Sequence, residues 1–122
     1  MGDANGLFEV VNAAEGPSHL RLTGKVTGDD LRAAGCDPID LFGADVYSKP
    51  LLIDMSGTDF LDSSGIGWLL EQHKRFRSGK GKLILHSVPP MVAKVMQLMS
   101  LNRVLQIADD EQTASLLAES ED

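Results

Sequence analysis

Apolar residues run almost without interruption through Leu51-Leu52-Ile53-Asp54-Met55. An unbroken apolar stretch of this length reads as a central strand covered on both faces. Past a short polar segment the period changes. Ile66, Leu69, Leu70, His73 and Phe76 recur near i, i+3, i+4 and i+7, the spacing of one helical face. Glu71, Gln72, Lys74, Arg75 and Ser78 lie off that stripe and read as solvated. Gly79-Lys80-Gly81 closes this helix, with basic residues in its last turns where the macrodipole favours them. Lys82-Leu83-Ile84-Leu85-His86 reads as the next strand. Pro89-Pro90 opens a helix whose apolar face is drawn from Met91, Val92, Val95, Met96 and Met99. Val104–Ile107 reads as a last short strand. Asp109-Asp110-Glu111 starts a final helix with acids at its positive end, continued by Thr113, Leu116 and Leu117.

The N-terminal half is patterned differently. Leu7-Phe8-Glu9-Val10-Val11 is strand-like, residues 13–18 carry turn chemistry, and His19–Gly24 alternates polar and apolar with period two. The pair predicts an antiparallel hairpin. Residues 25–49 are irregular. Thr27 is placed to cap a short helix ending at Gly35, and Pro38 to open another ending at Gly43. The order is β-β-(short α)-β-α-β-α-β-α. It predicts an α/β fold, a mixed sheet in which an N-terminal antiparallel hairpin joins parallel βαβαβ strands, with helices mainly on one face. Residues 1–6 read as a flexible N-terminus, 7–118 as one domain and 119–122 as an acidic tail.

Composition narrows the function. The 122 residues suit one domain, and 43% hydrophobic residues suffice for a core. Eleven basic against 18 acidic residues leave a net charge of −7, which disfavours nucleic acid and anionic lipid surfaces as partners. A single cysteine, Cys36, fits a reducing compartment and reads as a small, partly buried residue. No secretory leader and no run of about 20 apolar residues is present, so the expectation is a cytoplasmic protein without membrane contact.

The candidate chemistry gathers at Asp62-Ser63-Ser64-Gly65-Ile66-Gly67, between the central strand and the helix after it. Metal binding has little support. His19, His73 and His86 sit on separate elements, none with a partner at ligand spacing. A hydrolase elbow needs a glycine two residues before the serine, and no triad partners are evident. Gly65-Ile66-Gly67 lacks the third glycine of a dinucleotide fingerprint, since position 70 is Leu, and a P-loop is absent. No cofactor and no catalysis are therefore expected. Two readings of the serines remain: simple helix capping, or a phosphate acceptor at a helix N-terminus, where added negative charge is tolerated.

The stretch resembles the signature of STAS domains, the bacterial anti-sigma-factor antagonist family. The resemblance is carried by Leu52–Ser56, by Phe60-Leu61-Asp62-Ser63-Ser64-Gly65-Ile66-Gly67 and its helix, and by Gly81–Leu85. It extends to the helix after Pro89 and to Leu101–Leu105. It implies a STAS-like sheet over residues 7–118. It also implies an antagonist that binds an anti-sigma factor, itself a serine kinase of the GHKL ATPase type. Phosphorylation by that kinase switches the antagonist off, and a phosphatase resets it. By position, Ser63 is the implied acceptor. Asp62, Ser64, Gly65 and Gly67 are the implied partner-binding residues. Relatives of this fold also serve as phosphorylation-independent scaffolds or lipid-transport subunits, which is the alternative reading. The chain departs from the family pattern at Lys25, where an acid is common, and in the broken helical segment 28–49.

Overall fold

The structure, a computed structural model, describes residues 8–12 and 17–119. Residues 1–7, residues 13–16 of the expected turn and the tail from 120 lie outside the described residues. Strands β1 (Phe8–Asn12), β2 (Ser18–Val26), β3 (Pro50–Leu61), β4 (Lys82–His86) and β5 (Gln106–Ala108) form one sheet in that spatial order. Only β1 runs antiparallel to its neighbour, with Phe8 opposite Leu22; the other pairings are parallel. This is the mixed sheet that the pattern predicts.

Helices α1 (Gly28–Ala33), α2 (Pro38–Phe42), α3 (Ser63–Ser78), α4 (Pro90–Leu98) and α5 (Glu111–Glu119) complete the order. The run at 51–55 feeds both faces of the sheet because side chains alternate along a strand. Leu51, Ile53 and Met55 join Leu83 and Leu85 in the large core, with Ile66, Leu69 and Phe76 of α3 and Val92 and Met96 of α4. Leu52 faces the opposite way and packs with Ile84, Ala108 and Ala114 of α5. Four helices therefore precede or border the large core, and among the described residues α5 covers the second face.

Caps define the short helices of the irregular segment. The Thr27 side chain accepts from the Asp30 N–H, and the Asp37 side chain accepts from the Ile39 N–H. Several details differ from the pattern. β3 runs on to Leu61, six residues past the apolar run, because β2 stays paired beside it through Val26–Leu61. β5 is confined to 106–108, and Leu101–Arg103 forms a tight 3-10 turn. The buried face of α3 is rotated toward Trp68 and Gln72, both 2% exposed, while Leu70 and His73 are half-buried. Gln72 is tolerated inside because its Oε1 accepts from the Tyr47 hydroxyl at 2.9 Å. On α4 only Val92 and Met96 turn inward; Met91, Val95 and Met99 are exposed. Cys36 is fully rather than partly buried, at 1% exposure.

Candidate functional site

The site is built where β3 ends and α3 begins. Asp62 is extended (φ −95°, ψ 179°) and caps the helix: its Oδ1 accepts from the Gly65 N–H at 2.8 Å. The same oxygen accepts from the Ser64 hydroxyl at 2.8 Å, and Ser64 Oγ in turn accepts from the Gly28 N–H at 2.8 Å. One relay thus links β3, α3 and the first residue of α1. The Gly65 N–H, then the Ser64 hydroxyl, holds the Asp62 carboxyl below the usual carboxylate range, so it is ionised at neutral pH.

Two glycines make the approach of these elements close. A Cβ on Gly65 would collide with the Val26 carbonyl at the end of β2, and one on Gly28 would collide with the Ser64 carbonyl. Gly65 is buried accordingly, and its part in the site is to seat the helix start against its own sheet. Gly67 is the contrary case: it is exposed, with open space where a side chain would stand.

The two serines are not equivalent. Ser64 is half-buried and both donates and accepts within the relay. Ser63 is exposed at the first position of the helix, and its hydroxyl makes no hydrogen bond among the described residues. A group at that hydroxyl would face the positive end of a 16-residue helix.

Beside Ser64, an open groove of about 600 Å³ runs between α1 and α3, lined by Arg32, Gly67, Leu70, Glu71 and Lys74. Arg32 spans it, with Nη2 3.5 Å from Glu71 Oε2. Next to the motif, Phe60 is 52% exposed and pairs in register with the exposed Lys25 of β2. Gly28 and Arg32 escape a reading of the motif alone, because Gly28 meets Ser64 across 36 positions of sequence. A glycine directly after the capping Thr27 is the available sign that something packs there.

The three histidines stay apart. His19 Nδ1 lies 3.9 Å from Glu111, His73 is half-buried on α3, and His86 is buried at the end of β4. Among the described residues no cluster of three metal-ligating side chains is assembled, and no helix is long and apolar enough to cross a membrane.

Comparison with solved structures gives the same architecture. The Thermotoga maritima protein TM1081, a candidate anti-sigma factor antagonist, superposes with a TM-score of 0.74 at 19% identity. The match covers 96% of this chain and 97% of that one. An anti-sigma-factor antagonist (STAS) domain protein from Planctomyces limnophilus gives 0.72 at 22% identity, over 93% and 98%. The unphosphorylated form of the anti-sigma factor antagonist SpoIIAA gives 0.66 at 22% identity, over 90% and 95%. The Bacillus SpoIIAA is also known in a phosphorylated form of the same fold. At these identities the likeness establishes the fold. The family rests on the sequence itself, which matches the STAS domain over residues 5–114: this chain belongs to the STAS domain family.

Proposed function

We propose that this protein is an anti-sigma-factor antagonist, a binding module switched at Ser63. The observation that carries the reading is the division of labour between the serines: Ser64 is committed to the relay, and Ser63 is exposed with its hydroxyl unengaged among the described residues. In the unphosphorylated state the surface formed by Ser63, Gly67 and the groove along α1 and α3 docks an anti-sigma factor that is also a serine kinase. Asp62 and Ser64 fix the helix start on which Ser63 stands. The kinase transfers the γ-phosphoryl group of ATP to Ser63 Oγ: the Oγ–P bond forms as the bond to the β-phosphate breaks, ADP leaves, and the hydroxyl proton is released. A phosphate adds about −1.5 to −2 charge at that point. The helix N-terminus accommodates this charge within the antagonist, while the kinase surface, fitted to a neutral hydroxyl, releases it. Hydrolysis by a phosphatase restores the hydroxyl. Catalysis and ATP belong to the partners.

The test is incubation with ATP and a GHKL-type kinase encoded near this protein's gene, followed by mapping of the phosphate by mass spectrometry. Label is expected on Ser63 and lost in Ser63→Ala, and Ser63→Asp is expected to weaken kinase binding while remaining folded. A kinase that binds the protein yet labels Ser64, or neither serine, overturns the switch. Binding without label would favour a phosphorylation-independent module. The observation that favours this second reading is Lys25, a cation beside Phe60 at the edge of the docking surface.

A further inference from the structure

At the far end of α3 from Ser63, the chain turns through Gly79-Lys80-Gly81 into β4. An open cleft of about 450 Å³ lies there, with Phe76, Leu83 and Val104 as its apolar walls. Its polar lining includes His73, Arg77, Lys80 and Lys82, and no carboxylate lines it among the described residues. This is unexpected in a chain of 18 acidic and 11 basic residues. Arg21, Arg32, Lys49 and Arg75 each have a carboxylate within 4 Å. Among the described residues Arg77 and Lys80 form no such pair.

Three further observations bear on the cleft. Lys82 donates from Nζ to the Leu117 carbonyl of α5 at 3.0 Å, so its charge is turned toward the second face of the sheet and leaves the cleft to Arg77 and Lys80. Lys80 adopts φ 70°, a left-handed conformation that is strained for a non-glycine residue. The turn that imposes it is wedged against Tyr47 and Lys49, where a side chain on Gly81 would clash. His73 titrates below its ordinary value because of burial and then the Arg77 charge. Helix polarity explains basic residues in the last turn. It does not explain Lys80, which lies beyond the helix, nor why Arg77 has no acidic partner among the described residues when Arg75 bridges Asp37 and Glu71.

We propose that this cleft binds a small phosphate-bearing molecule, its phosphate held by Arg77 and Lys80 and its apolar part resting on Phe76, Leu83 and Val104. Clustered cations match a dianion, and a guanidinium offers the paired donors that phosphate oxygens accept. The site is separate from the switch: α3 has 16 residues, which at 1.5 Å per residue places the cleft roughly 24 Å from Ser63.

The experiment titrates the isotope-labelled full chain with inorganic pyrophosphate and with octyl phosphate at low salt, followed by NMR. Saturable shifts are expected in the amides of residues 79–83 and in the His73 ring, whose titration should move upward when an anion is bound. The octyl ester should bind more tightly than pyrophosphate. The double variant Arg77→Gln/Lys80→Gln should weaken binding roughly tenfold or more. Thermal unfolding of the variant verifies that it is folded. A parallel arm uses vesicles of phosphatidylcholine doped with phosphatidic acid. Co-sedimentation abolished by the double variant identifies a lipid headgroup as the source of the phosphate, and its absence alongside saturable pyrophosphate binding identifies a soluble one. Linear, non-saturating shifts, or equal binding by the double variant, overturn the proposal.

Discussion

Ser64 and Ser63 separate by their partners rather than by their chemistry. Removing the Ser64 hydroxyl leaves the Gly28 N–H without its acceptor and takes one of two donors from Asp62 Oδ1. An unsatisfied, partly buried group of this kind costs about 1–2 kcal/mol, so Ser64→Ala should lower the urea-unfolding free energy by that amount. Ser63→Ala removes an exposed hydroxyl and should change stability by less than about 0.5 kcal/mol. A reversal of that order would mean that Ser63 supports the helix start and Ser64 is the accessible group. The motif as a string of letters names both serines equally. The relay that distinguishes them passes through Gly28, and no local pattern could have shown it.

Among the elements, α4 shows most directly how far periodicity reaches. Its apolar residues are too many for one buried stripe: Val92 and Met96 face the core, while Met91 is 81% and Leu98 77% exposed. Met96→Ala should therefore cost about 2–5 kcal/mol, as truncation of a packed core side chain does. Met91→Gln should stay within about 0.5 kcal/mol of the parent. Comparable losses from both would place Met91 in a contact that burial does not reveal. The sequence made the existence and type of α3, α4, β3 and β4 legible, because strong apolar runs and caps are local signals. It left open which face each helix turns to the sheet. Gln72 illustrates the limit: its amide reads as solvated by type, and only Tyr47, 25 positions away, makes it a core residue. The full length of β3 was hidden for a related reason. Beyond Met55 the strand is held by pairing with β2 rather than by its own apolarity.

At the scale of the whole molecule, the second face of the sheet carries a titratable cluster on which stability should depend. Asp54 and His86 are in register on β3 and β4, and Arg21 of β2 donates from Nε to Asp54 Oδ2 at 3.1 Å. His86 is 1% exposed, its Nδ1 is 2.9 Å from Ser87 Oγ, and its Nε2 has no hydrogen-bond partner among the described residues. Burial lowers its pKa, an effect opposed by Asp54, Glu111 and Asp110 and reinforced by His19. The unfolded chain therefore binds a proton at this residue more readily than the folded one. The contribution of neutral His86 to stability is complete above the ordinary value of 6.5 and is lost as pH falls below it toward the lowered folded value. Asp54, Asp62 and Asp110 act in a second window: each is held below 3.8, so their contribution is present above that value and is lost in stronger acid. Urea unfolding measured across pH should show a decline setting in below about 6.5 that flattens in His86→Gln. Half-buried His73, also lowered, leaves a weaker residue of the same slope. The acid limb should survive the substitution, because the carboxylates remain. If the decline below 6.5 is undiminished in His86→Gln, the buried ring does not govern it, and the proton is taken up elsewhere on the fold.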